Sequence, residues 1–215
     1  MLMAITRAVS PAIVNCELTF VARQSIDLEK AREQHRAYES LLETLGARVQ
    51  SLPAEPDLPD SMFVEDPAVV LDELAVVMPL GTDTRRREAP SLAGALSKFR
   101  KLEYLTLPGT MEGGDILRVG RKLFAGLSSR TNGEGIRQLS ALLAPHCYEV
   151  IAVAVTGCLH LKSAVTYIGR NTFLANRAWF DSTLLTGYDW IDVHPAEPHA
   201  ANALVLGDTV IFPAS

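Results

Sequence analysis

Cysteine is scarce in this chain. Three thiols (Cys16, Cys147 and Cys158) are scattered over 215 residues, which excludes a disulfide framework or a zinc knuckle and fits a reducing, cytoplasmic compartment. Long apolar runs are also missing. No stretch reaches the roughly 18 apolar residues a bilayer-spanning helix needs, and "MLMAITRAVSPAIVNC" lacks the basic start and apolar core of a signal peptide, so no membrane role is expected. Nor is there an excess of positive charge. Twenty Lys and Arg against 25 Asp and Glu give a net charge of −5 and a pI near 5.5, where a nucleic-acid binder would show a basic face. With 48% hydrophobic and 21% charged residues, the chain can build a substantial core, and residues 1–215 read as one domain.

Against these absences stands a recurring order of elements. "DPAVVLDELAVVMPLG" places two apolar runs around Asp72-Glu73, a hairpin pattern. The same shape returns around Gly120-Arg121, Gly169-Arg170 and Gly207-Asp208. Between hairpins lie segments with apolar residues near a 3.6 period, such as Leu92, Leu96 and Phe99, or Ile136, Leu139 and Leu143. The longest carries Leu28, Ala31, Tyr38, Leu41, Leu42 and Leu45 on one stripe, with Ser25 as the expected N-cap and Gly46 as the stop. Strand-like runs follow: "ARVQSLP", "EYLTLP", "YEVIAVAV" and "WIDVHP". The unit is hairpin, helix, strand, repeated every 40–50 residues or so, a period typical of propellers. Four units are expected, with the opening strands of the first poorly defined and a fifth halting after its hairpin.

Several segments carry candidate chemistry. In "TGCLHLKSAV", an extended reading of 158–165 puts Leu159 and Leu161 on one face and Cys158, His160 and Lys162 on the other. His160 then faces a cavity, or is a hydrogen-bonded core residue. "TMEGGDIL" sets Glu112 and Asp115 beside a glycine pair that permits close backbone approach, although solvated acids in a turn would read the same way. In "LPDSMFVEDPAVV", Asp60, Glu65 and Asp66 run into an apolar strand, where acids are costly unless paired or bound to a cation. "TDTRRREAP" holds arginines at a helix start, the end that disfavours cations, so one of them is expected to serve an anion. Arg130 in "LSSRTN" is a second candidate. Acids with arginines suit a small zwitterion with a cationic end, since carboxylates match a guanidinium fork and arginines hold a carboxylate bidentately.

Taken in order, "LPDSMFVEDPAVV", "RRREAP", "MEGGDIL", "GLSSRTN" and "GCLHLKS", with "HAANAL" near the end, resemble the dimethylarginine dimethylaminohydrolases. This resemblance spans essentially the whole chain. It implies an α/β fold of the guanidine-modifying (pentein) type, a five-bladed pseudo-symmetric α/β propeller with its last unit incomplete here. It also implies hydrolysis of Nω-methylated arginines to citrulline and a methylamine, with no metal and no organic cofactor. On the matching motifs, His160 would be the general acid/base and Glu112 its support. Asp60, Glu65 and Asp66 would contact the substrate's cationic groups, Arg85 and Arg130 its α-carboxylate. Leu18 in "NCELTF" would act through its backbone carbonyl in a lid. The expected partner is a small methylated arginine, with no nucleic acid or membrane, and a homodimer is allowed. The family's nucleophile is a cysteine in a closing strand. None of the three cysteines matches it, so it is expected beyond Ser215. The alternatives are an arginine or other guanidine deiminase, which would release ammonia, and a non-catalytic ligand-binding relative.

Overall fold

The computed structural model describes residues 2–212, and the last three residues of the "VIFPAS" reading lie outside them. Its elements run in the expected order. Strand β1 (Met3–Arg7), helix α1 (Leu28–Thr44) and strand β2 (Arg48–Leu52) come first. Then follow β3 (Ala68–Val70), β4 (Leu74–Val77), helix α2 (Ala89–Leu96) and β5 (Lys101–Tyr104). The third unit is β6 (Ile116–Val119), β7 (Lys122–Leu127), α3 (Gly133–Leu143) and β8 (Glu149–Ala154). A short helix, α4 (Leu161–Ala164), precedes β9 (Val165–Gly169), β10 (Thr172–Ala175) and β11 (Asp189–Asp192), and β12 (Leu204–Leu206) with β13 (Thr209–Ile211) come last.

Three sheets share one construction: an antiparallel hairpin whose second strand pairs in parallel with the strand after the crossover. They are β3-β4-β5, β6-β7-β8 and β9-β10-β11. Two-stranded sheets flank them, β1-β2 parallel and β12-β13 antiparallel. The result is a mixed α/β fold of several small sheets, with no closed barrel among the described residues. All four hairpins form where the dipeptides place them. At Gly120, Gly169 and Gly207 φ lies between +59° and +84°, and Arg170 and Asn171 also turn left-handed, as tight turns require.

Three expectations need correction. The first unit has no hairpin among the described residues, only β1 and β2 joined through α1. Its N-cap is Asp27, whose carboxylate accepts from Lys30 N, and not Ser25: the cap must sit beside the first helical residue to reach an unpaired N–H. The fourth unit crosses over by two 3₁₀ turns (Arg177–Trp179 and Ser182–Leu184) instead of a helix.

The apolar stripe of α3 becomes a contact between units, whereas on α1 only Leu42 is buried and Tyr38 and Leu41 of the expected stripe are exposed. Leu139 and Leu143 of α3 are fully buried against Val76, Met78 and Leu123, joining the second and third sheets. Phe124, Val153, Leu161 and Phe173 join the third and fourth, with Phe124 and Phe173 packed edge to face. Each such side chain contributes about 1.5–3 kcal/mol by burial, so the interfaces that bring the sheets together also bring together the loops at their ends.

Candidate active site

His160 is not in a strand. It is the N-cap residue of α4, with extended dihedrals (φ −134°, ψ 157°). The face-alternation argument for 158–165 therefore fails, and Leu161 and Cys158 are both buried in the core. The chain turns here because its polar groups find local partners. Ser163 N and Cys158 Sγ donate to the His160 carbonyl at 3.0 and 3.1 Å, and Leu161 N donates to Asp115 Oδ1 at 2.9 Å.

The glycine pair of "EGGD" explains how the acids reach the histidine. A Cβ on Gly113 would stand 2.0 Å from the Glu65 carbonyl oxygen. One on Gly114 would stand 2.7 Å from Cγ and Nδ1 of His160 and 3.1 Å from Asp66 Oδ1. Neither glycine has positive φ, so the requirement is space. Bare backbone lets Gly113 N donate to Asp66 O (2.9 Å) and Gly114 N to Asp66 Oδ1 (3.2 Å), which sets Asp66 beside the imidazole.

Glu112 is the centre of the arrangement. Fully buried, it accepts from His160 Nε2 at 2.8 Å and Gly81 N at 3.1 Å, with Arg85 Nη1 at 3.4 Å and Arg130 Nη1 at 3.5 Å. Burial works against its charge, but the His160 hydrogen bond and the Arg85 charge prevail and hold its carboxyl below the usual range. Burial likewise opposes the charged imidazole. The Glu112 hydrogen bond and the charges of Asp66, Asp115 and Glu112 outweigh it, so the His160 pKa is raised.

Arg85 lies in the 3₁₀ turn Arg85–Glu88 that leads into α2. Its Nε and Nη2 donate to Glu88 at 3.0 and 2.9 Å, and Nη1 to Asp66 at 2.9 Å. It therefore grips carboxylates, though those of the protein; the neighbouring acids raise its pKa against the effect of burial. Arg130 is also buried and reaches Thr19 Oγ1 at 3.3 Å. Leu18 sits between two latches of its loop, the Thr19 contact and the bond from Glu17 N to Asp60 Oδ2 at 3.1 Å. Leu18 itself is exposed. Burial pushes the Asp60 carboxyl up. Glu65 stands apart on the exposed rim, paired with Lys162.

The structure thus brings His160, Glu112, Asp66, Arg85, Arg130 and Asp60 into one buried cluster and leaves Glu65 and Leu18 at its edge. Sequence reasoning passed over Glu88, Ser128 and Thr131. All three lay inside quoted motifs, but a glutamate three residues from an arginine and two hydroxyls in a loop carry no distinguishing pattern. Donor atoms of Asp66, Glu112 and His160 lie within 4.8 Å of one another, close enough for a metal ion. Arg85 Nη1, however, contacts both carboxylates, so a metal ion among them would lie close to a fixed positive charge, whereas the acceptor sites left on each carboxylate suit the spread N–H groups of a second guanidinium. The donor set fits guanidinium better than a metal.

The three cysteines sit in different surroundings. Cys158 packs in the core, and burial pushes its thiol up to about 11. Cys16 is buried beside the Glu17–Thr19 segment, and burial with the nearby Asp60 charge raises its pKa. Cys147 is exposed beyond α3. Five buried acids (Asp60, Asp66, Glu88, Glu112 and Asp115) stand against Arg85, Arg130 and His160. With all five ionised the cluster is short of positive charge even when His160 is protonated, and burial accordingly raises the carboxyls of Asp60, Glu88 and Asp115.

A buried cluster of carboxylates and arginines in a fold of small α/β units suits a guanidine-modifying enzyme, and the comparisons with known proteins agree. The family described as arginine deiminase matches residues 54–206. N(G),N(G)-dimethylarginine dimethylaminohydrolase from Pseudomonas aeruginosa is 35% identical over 190 residues, covering 87% of this chain and 75% of that protein. Its counterpart from Streptomyces coelicolor is 37% identical over 177 residues, covering 80% and 67%. The solved Pseudomonas aeruginosa enzyme, a cysteine-to-serine variant with citrulline, superimposes with a TM-score of 0.94 at 33% identity over 100% of this chain and 84% of that one. The N-terminal domain of a cyanobacterial arginine dihydrolase shares the fold (TM-score 0.87, 19% identity, 98% and 83% covered). The chain belongs to the dimethylarginine dimethylaminohydrolase family.

Proposed function

We infer that this protein binds Nω,Nω-dimethyl-L-arginine and hydrolyses it to L-citrulline and a methylamine. The observation that carries the reading is the cluster of Asp66, Glu112 and His160, whose donor atoms lie within 4.8 Å of one another in a site short of positive charge. Its support from relatives is specific, since one solved relative was crystallised with citrulline and another as an adduct with S-methyl-L-thiocitrulline.

In this reading Asp66 and Glu112 hold the substrate guanidinium flat and charged, and Asp60 receives the α-ammonium under the loop carrying Leu18. Arg130 takes the α-carboxylate. Arg85 shares that task only by releasing part of its present hold on Asp66 and Glu88, because one carboxylate already fills its Nε/Nη2 fork. Glu65, paired with Lys162, serves at the rim. A thiolate attacks the guanidinium carbon, and His160 protonates the amine as the C–N bond breaks. His160 then takes a proton from water, whose oxygen displaces the thiolate and becomes the ureido oxygen of citrulline. In this reading the nucleophile is a cysteine other than these three, which is supported by the exposure of Cys147 beyond α3 and the packing of Cys158 in the core. Residues 1–215 act as one domain on a small cytoplasmic molecule, without nucleic acid.

Calorimetry with dimethylarginine, citrulline, arginine and agmatine tests this directly. The first two should bind more tightly than agmatine, which lacks the α-carboxylate, and Asp66→Asn should abolish the heat. No heat from any of the four would refute the reading. Arginine binding more tightly than dimethylarginine would favour a deiminase, the activity named by the matching family.

A further inference from the structure

Asp115 is fully buried, makes no ion pair among the described residues, and is given no role by the functional reading above. Its surroundings are unusual in their polarity. Ser128 Oγ accepts from Arg130 N (3.0 Å) and Thr131 N (3.2 Å), and Thr131 Oγ1 accepts from Glu112 N (3.1 Å). Both hydroxyl oxygens are thus used as acceptors, and each O–H donates to Asp115 Oδ2 at 2.7 Å. Oδ1 accepts from Leu161 N at 2.9 Å. Three donors converge on this group and no acceptor does, an arrangement that suits the carboxylate and not the acid. Gly126 in β7 makes room, since a Cβ there would stand 2.6 Å from Oδ1.

We propose that Asp115 is the positioning residue of the site, one buried anion to which the backbones of Glu112, Arg130 and His160 are all tied. Each tie is short. Glu112 is held through the Thr131 hydroxyl, Arg130 through the Ser128 hydroxyl, and His160 through the next peptide N–H. The three side chains come from different segments, and no other described carboxylate reaches the backbone of all three. Such a shared anchor fixes the separation between a general acid/base, its carboxylate support and a substrate-binding arginine, which chemistry of this kind requires to fractions of an ångström. Burial raises the Asp115 pKa while His160 and the three donors oppose it, and in its ionised form the group adds negative charge close to the imidazolium. The other charges facing His160 are Glu112 and Asp66, with Arg85 behind them.

The proposal rests on the functional reading for its consequence but not for its test. In Asp115→Asn the shape is kept and the charge is lost. The His160 imidazole, assigned by its loss in His160→Gln and followed by NMR, should titrate lower by about one pH unit, the usual effect of removing one nearby opposite charge. Citrulline affinity should fall about tenfold or more. If Asp115→Asn does not fold, Thr131→Val decides, because it cuts the strut to Glu112 and leaves the anion. It should weaken citrulline binding severalfold with a smaller change in the imidazole titration, and Thr131→Ser should restore binding. A folded Asp115→Asn with unchanged titration and unchanged affinity would overturn the proposal, as would Thr131→Val binding like wild type. A wild-type protein that binds neither citrulline nor dimethylarginine would refute the functional reading alone, because the titration would still report on Asp115.

Discussion

Gly114→Ala is the smallest perturbation that should disable the site. The new methyl would stand 2.7 Å from His160 Cγ and Nδ1, where ordinary contact begins near 3.4 Å. The ring must therefore retreat by about 0.7 Å, a forced repacking that costs about 1–3 kcal/mol. Retreat also strains the 2.8 Å hydrogen bond to Glu112, a charge-assisted contact worth about 1.5–3 kcal/mol. Partial loss of both gives an expected destabilisation of about 2–4 kcal/mol and a lowered His160 pKa. Urea unfolding near pH 6 reads the first effect, and imidazole NMR with citrulline calorimetry reads the second. Gly94→Ala is the matched control. It lies within α2 with nothing inside 4 Å of the added carbon, and should stabilise by about 1 kcal/mol. A Gly114→Ala protein with wild-type stability, titration and affinity would refute the claim that the histidine lies against bare backbone for want of space.

Other outcomes follow from the same geometry. Because the folded His160 pKa is raised, its contribution is fully present below its unfolded value of about 6.5 and lost as pH rises through the folded value. The stability advantage of wild type over His160→Gln should therefore shrink in urea titrations taken from pH 6 upward. Glu112 is depressed, so its contribution is present above about 4.5 and lost as pH falls through its folded value; Glu112→Gln should lose less stability at pH 3 than at pH 6. Replacing Arg85 by Met strands Glu88, Asp66 and Glu112 without their buried cation and should cost about 3–5 kcal/mol, or prevent folding. Iodoacetamide near pH 8 should label Cys147 first and Cys158 last, as peptide mass mapping would show, since one thiol is exposed and the other is buried with its pKa pushed up to about 11.

Much of the fold could be read before the structure, because turn chemistry and apolar period act over a few residues. Asp72-Glu73, Gly120-Arg121, Gly169-Arg170 and Gly207-Asp208 each mark a hairpin. His160 was harder. Its flanking leucines alternate as a strand would, yet Asp115, 46 residues before Leu161, takes the Leu161 N–H and bends the chain into a helical turn. No local pattern reports a partner at that distance. The arginine cluster shows the same limit. Three arginines at a helix start flagged an anion, and only packing reveals that Arg85 chose Glu88 and Asp66 while Arg86 donates to the Leu80 carbonyl. Glu65 and Asp66 are neighbours in one motif, and a single step of backbone sends one to the rim and the other inward.

The bond from Arg130 to Thr19 closes 111 residues of chain, and that from His160 to Glu112 closes 48. Loops of that span form late, because their entropy must be paid before any contact repays it. A ligand that recognises the completed cluster would therefore act as a clock for the end of folding. Its capture during refolding should lag behind the return of helical signal, and the lag should measure how long the sheets take to find one another.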